Sequence, residues 1–122
     1  MQERNTKQKQ VVTQVFREAE SALTVHEVLA LGQKVLPSLS LATVYREINR
    51  LCAAEELRTV MIPGDPVRYE AHKHHHHHFK CTGCKKVYEI EGCPQELKSL
   101  VPEGFKPVTH DLTFYGLCRT CN

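Results

Sequence analysis

Ser40-Leu-Ala-Thr-Val-Tyr-Arg-Glu-Ile-Asn-Arg-Leu51 governs how the first half of this chain is read. Ser40 suits a helix N-cap, and Leu41, Val44, Ile48 and Leu51 recur at the spacing that stacks side chains on one helical face. Thr43, Arg46, Glu47 and Arg50 are expected on the opposite face, with Tyr45 at its edge. Upstream, Val11, Val12, Val15, Phe16 and Ala19 give residues 5–19 the same helical spacing. Thr24-Val-His-Glu27 is a capping box that opens a second helix through Val25, Val28, Leu29 and Leu31, and Pro37 stops it. Downstream, residues 57–62 and 67–71 flank Pro63-Gly64-Asp65-Pro66, which predicts a hairpin. Three short helices, the last presenting Thr, Tyr and Arg, followed by a hairpin make a winged helix-turn-helix pattern. A plain helical bundle with a surface hairpin is the competing reading.

The second half follows other rules. Cys81-x-x-Cys84 and Cys118-x-x-Cys121 each place two thiolates on one tight turn, and together they supply the four sulfurs of a structural zinc site. An iron site on the same sulfurs and a redox pair are the alternatives. Residues 79–81 and 87–91 read as strands around the Gly83 knuckle. Cys93-Pro94 opens a short helix with Leu97, Leu100 and Val101 expected inward. Residues 108–115 alternate, so a strand is expected with Val108, His110, Leu112 and Phe114 on one face. Cys52 and Cys93 are expected to be buried thiols, and His26 a surface residue.

Composition narrows the function classes. The chain has 122 residues, 41% hydrophobic and 25% charged, which suits one soluble domain or two very small ones. No apolar run approaches the ~18 residues of a membrane span, and the start MQERNTKQKQ has no signal-peptide character. A cytoplasmic location is therefore expected, where zinc is favoured over disulfides for such cysteines. The net charge of +2 excludes a strongly basic nucleic-acid tail, although Arg4, Lys7, Lys9 and Arg17 against Glu3 suit a phosphate-contacting arm.

Seven of the eight histidines lie from His72 onward, six of them in His72-Lys-His-His-His-His-His78. A purification tag, or a loop that binds metal nonspecifically, are bland readings of such a tract. If its end is extended, His74, His76 and His78 point one way and His75 and His77 the other, so one tract could serve two sites. Glu70, Glu89 and Glu96 supply nearby carboxylates, and His110 sits where metal ligation or a backbone carbonyl would satisfy an imidazole. Mixed nitrogen and oxygen ligands accept zinc, manganese or ferrous iron. There is no H-E-x-x-H, no H-x-E ahead of a C-x-x-C and no phosphate-binding glycine loop, so no enzyme is expected.

Leu41-Ala-Thr-Val-Tyr-Arg46, the histidine run leading into Cys81-x-x-Cys84, and His110-x-Leu-x-x-Tyr-Gly-x-Cys118-x-x-Cys121 together resemble the ferric uptake regulator superfamily, in order and over nearly the whole chain. The resemblance implies an α+β fold: an N-terminal winged helix-turn-helix domain over 1–71, a His-rich hinge over 72–78, and a small α/β dimerisation and metal-binding domain over 79–122 with a four-cysteine zinc site. It also implies a cytoplasmic, homodimeric, metal-responsive repressor of palindromic A/T-rich DNA operators, leaning toward iron control, with no membrane or small-molecule substrate. Carried over by position, Cys81, Cys84, Cys118 and Cys121 match the structural zinc ligands. Glu70, His76, His78 and Glu89 match the regulatory site for Fe2+, Zn2+ or Mn2+, and His75, His77, Glu96 and His110 an additional site. Tyr45, Arg46 and Thr43, with Arg4 and Lys9, match the DNA-contacting positions. A zinc-responsive or peroxide-sensing member of the same family is the nearest alternative, and a His-rich metal buffer or carrier the alternative of another class. The sequence departs from the family at Ala22, where a histidine usually joins the regulatory site.

Overall fold

The computed structural model describes residues 2–71 and 76–122, with side chains of α1 described from Thr6 onward. The chain divides into two compact units, Met1–His72 and Lys73–Asn122.

The first unit contains α1 (Gln2–Glu18), a two-residue strand β1 (Ser21–Ala22), α2 (Val25–Gln33), α3 (Leu41–Ala53), and the strands β2 (Leu57–Val60) and β3 (Arg68–Ala71). The capping box of α2 is complete: the Thr24 amide donates to Glu27 Oε1 at 2.8 Å, and the Glu27 amide donates to Thr24 Oγ1 at 3.1 Å. Ser40 caps α3 by accepting from the Thr43 amide at 3.2 Å. One apolar stripe from each helix converges on a core containing Val12, Phe16, Val28, Leu39, Val44, Ile48 and Leu51. Strands β2 and β3 pair antiparallel with Arg58 opposite Glu70. Leu23, next to β1, exchanges both backbone hydrogen bonds with Tyr69 and ties this hairpin to the start of α2.

Arg68 anchors the hairpin from inside. Its side chain is buried and donates to Asp65 Oδ2 at 2.6 Å, Glu27 Oε1 at 2.9 Å and the Ala22 carbonyl at 3.2 Å. The N3 carboxylate of the capping box thus also serves a guanidinium on the wing-like strand.

The second unit contains β4 (His77–Cys81), β5 (Val87–Ile90), a 3-10 turn at Gln95–Leu100 and β6 (Thr113–Gly116). Strand β4 lies in the middle, antiparallel to β5 and parallel to β6. Two expectations are corrected here. The strand expected over 108–115 begins only at Thr113, because β6 takes its ladder from β4 starting with the His78 amide to the Leu112 carbonyl; Val108 is 94% exposed. The short helix at Gln95–Leu100 is 3-10 and fully buries none of its side chains: Leu100 is exposed, and Leu97 and Val101 are only half-buried. Among the described residues of this unit, the buried hydrophobics are Val87 and Cys81 alone. So small an apolar core calls for another source of stability.

Candidate metal centre and nucleic-acid face

Parallel pairing of β4 with β6 explains why two distant C-x-x-C turns meet. The register sets Cys81 opposite Gly116, so each strand runs directly into its own cysteine turn at the same end of the sheet. The Thr82 amide continues the pairing to the Gly116 carbonyl at 2.7 Å. The ligand atoms of Cys81, Cys84, Cys118 and Cys121 all lie within 4.8 Å of one another, and the Cys84 and Cys118 sulfurs are 3.9 Å apart. A tetrahedral zinc with Zn–S bonds of about 2.3 Å separates its sulfurs by roughly 3.8 Å.

Local hydrogen bonds prepare the sulfurs for a cation. The amides of Cys84 and Cys118 both point at Cys81 Sγ, each at 3.4 Å. These two donors, the Cys84 amide first, hold the Cys81 thiol down at about 5. The Cys121 amide, first among the causes, lowers the Cys118 thiol in the same way, with the nearby Tyr88 hydroxyl adding to the effect. Cys121 is pushed up to about 12, chiefly by the Cys81 sulfur beside it. Thiols lowered and raised side by side in this way form a crowded set whose remaining protons a bound metal would displace. The four cysteines fit Zn2+ by number, spacing and charge.

The histidines of the tract divide by strand parity. His76 and His78 lie edge to face with ring centroids 5.0 Å apart, and His76 Nε2 is 4.0 Å from Glu89 Oε1. His77 instead stacks on His110 at 5.1 Å. Glu70 belongs to the first unit, where its buried carboxylate accepts from Arg58 Nε at 2.9 Å. Glu96 lies exposed on the 3-10 turn and is not among the residues gathered around His77 and His110. His75 falls outside the described residues, as do His72, His74 and the Arg4 side chain.

Sequence reasoning missed the neighbour that does join that pair. Cys93, expected to be a buried thiol, is exposed, and its Sγ lies 3.2 Å from His110 Nε2. The physical reason is Gly92, whose φ of +86° turns the chain after β5 and leaves Cys93 outside the sheet. A cysteine just past a strand that pairs with the histidine tract was the available signal.

On α3, Tyr45, Arg46 and Arg50 are exposed. Thr43 and Glu47, expected outward with them, are buried at 7% and 6%. Residues 43 and 47 flank the 44–48–51 stripe closely enough on a 3.6-residue helix to be covered with it. Thr43 still bears on that face, because its hydroxyl accepts from Arg46 Nη2 at 3.1 Å and from Ser40 Oγ at 2.9 Å. Lys7 and Lys9 are exposed on α1. Among the described residues, no helix is long and apolar enough to cross a membrane.

The sequence model of the "Ferric uptake regulator family" matches residues 1–115. The ferric uptake regulation protein of Campylobacter jejuni is 31% identical over 123 residues, covering 96% of this chain and 78% of that protein. The fold is similar to that of the Helicobacter pylori ferric uptake regulator, described as having three functional metal binding sites, with a TM-score of 0.73 and 25% identity over 94% of this chain and 79% of that one. It is also similar to a zinc-bound manganese uptake regulator, with a TM-score of 0.80 and 26% identity over 91% of this chain and 87% of that one.

Proposed function

Because this chain belongs to the ferric uptake regulator family of metal-responsive transcription regulators, we propose that it is a repressor that binds palindromic A/T-rich operators as a metal-loaded homodimer. The observation that carries this reading is the exposed Tyr45–Arg46 pair on a capped helix that is followed at once by an anchored hairpin. Helix α3 enters the major groove, Arg46 reaches base edges, and Lys9 and Arg4 bind phosphates. The β2–β3 hairpin is the wing.

Cys81, Cys84, Cys118 and Cys121 hold a structural Zn2+, which supplies the cross-link that the thin apolar core of the second unit lacks. His76, His78 and Glu89 provide the regulatory ligands of the second unit, and the family resemblance alone adds Glu70. A metal shared in this way would bias the two units toward the arrangement that fits DNA, by its greater affinity for that state. Large apolar side chains left exposed on the second unit, among them Leu100, Phe105, Val108 and Phe114, suit burial against a second copy of the chain. The nitrogen and oxygen set accepts Fe2+, Zn2+ or Mn2+ alike, and the lean toward iron comes from the family resemblance rather than from the donors.

The test is a binding titration with a palindromic A/T-rich duplex in competitor DNA, with Fe2+, Mn2+ or Zn2+ varied at fixed salt. Tight binding is expected only with metal, and it should fall steeply with added salt. Metal uptake without any gain in DNA affinity would identify a metal buffer instead. Activation by zinc alone at lower free concentration than iron would transfer the assignment to a zinc-responsive regulator.

A further inference from the structure

We propose that Cys93 joins His77 and His110 in a further metal site, and that this thiolate ligand selects zinc over manganese. The three ligand atoms lie within 4.8 Å of one another, and Cys93 Sγ and His110 Nε2 are 3.2 Å apart. Around a tetrahedral zinc, with bonds of about 2.3 Å to sulfur and 2.0–2.1 Å to nitrogen, neighbouring ligand atoms stand roughly 3.3–3.6 Å apart. The set therefore closes on a metal with shifts of about an ångström or less for its flexible members.

Each ligand is delivered by a different element. His77 is the first residue of β4 and is buried, opposite Ile90 of β5. Gly92 turns the chain just after β5, and extended Pro94 leads into the 3-10 turn, which leaves Cys93 at the side of the sheet where His77 lies. His110 arrives on the segment before β6 and stacks on His77 at 5.1 Å with 30° between the rings. Buried His77 fixes one ligand, whereas exposed Cys93 leaves an approach for the ion.

The resemblance assigns this neighbourhood His75, His77, Glu96 and His110, so the two sets share only His77 and His110. Replacing a carboxylate by a thiolate changes the chemistry. Hard Mn2+ prefers oxygen, while zinc forms strong bonds to sulfur and imidazole together. Binding forms a metal–sulfur bond, releases the Cys93 thiol proton to solvent and takes both imidazoles neutral. With three protein ligands, the fourth position falls to water. The inference deepens the proposed regulator and rests on it only for the consequence: a regulatory or storage role for zinc beside the four-cysteine site.

The test uses the full-length chain with its four-cysteine site filled by zinc. Co2+ is titrated as the probe, zinc release is followed to exclude exchange, and thiolate-to-cobalt charge-transfer absorption is read. Beyond the Co2+ taken without such a band by His76, His78 and Glu89, one equivalent with a charge-transfer band is expected for the wild type and for Glu96→Gln. Cys93→Ser should lose the band and at least ~100-fold in affinity, since even partners that only support a ligand are worth 10–100-fold. His110→Ala should behave alike. Unchanged circular dichroism and structural zinc content, expected because Cys93 and His110 lie outside the core, show that the variants fold. A band surviving Cys93→Ser, or a band lost in Glu96→Gln, would overturn the proposal. Operator binding, measured separately on the same samples, reports on the repressor reading alone.

Discussion

A Cβ placed on Gly83 would stand 3.0 Å from the Sγ of Cys121 and 3.1 Å from its Cβ. The first cysteine turn is thus packed directly on the second, and only a residue without a side chain fits between them. Gly83→Ala is expected to push Cys121 out of position and to speed zinc transfer to a competing chelator at least ~10-fold, the lower end of what displaced ligand support costs. The first unit should keep its helical signal. Zinc release followed with a metal-sensitive dye checks this, and unchanged release would show that the turns are not clamped as described.

Removing a sulfur outright should have a larger effect. Structural zinc contributes on the order of 10–16 kcal/mol in small domains, while Val87 and Cys81 are the only buried hydrophobics described in the second unit. Cys118→Ser or Cys81→Ser is expected to abolish zinc retention and leave that unit unfolded and the chain monomeric. Zinc analysis with sedimentation measures both, and a stable zinc-free dimer would refute the assignment.

The Arg46–Thr43 contact separates direct from supporting roles at the DNA face. Arg46→Ala is expected to weaken operator binding by about 1–3 kcal/mol per lost base contact, with zinc content unchanged. Thr43→Val keeps shape but removes a hydroxyl that orients Arg46 and touches Ser40, and should weaken binding by about 0.5–1.5 kcal/mol. Anisotropy titrations with operator duplex read both; equal affinity in all three proteins would remove α3 from the recognition face.

Arg68 carries the stability of the hairpin. Its side chain is 5% exposed, beside an Asp65 side chain that is 4% exposed. Arg68→Ala leaves that carboxylate buried without its guanidinium, which costs about 3–5 kcal/mol. Loss of the bonds to Glu27 and the Ala22 carbonyl adds to the effect. Thermal unfolding of the first unit should shift down by many degrees, with zinc binding by the four cysteines intact. A shift within experimental scatter would mean that the network is replaced by water at no cost.

Much of the first unit was legible because its signals are local. Capping at Thr24 and Ser40, and apolar spacing through Val44, Ile48 and Leu51, depend on residues within two helical turns. The errors came where a face borders a core or a strand needs a partner. Thr43 and Glu47 are covered by packing that periodicity alone does not resolve, and Val108 alternates with its neighbours without any ladder to join.

The donor chemistry of this protein is written in its sequence: four cysteines in two tight turns, a histidine tract with two faces, and a basic residue beside Tyr45 on a capped helix. Those features arise within a few residues, where bond geometry and side-chain type are sufficient. Which distant groups share a site is settled by tertiary structure instead. Parallel pairing of β4 with β6 brings the cysteine turns together across more than thirty residues of chain, as the amides of Cys84 and Cys118 converging on the Cys81 sulfur record. The turn at Gly92 likewise sets Cys93, rather than Glu96, against His110. Such meetings depend on strand register and chain reversal, and ligand spacing along a sequence contains neither.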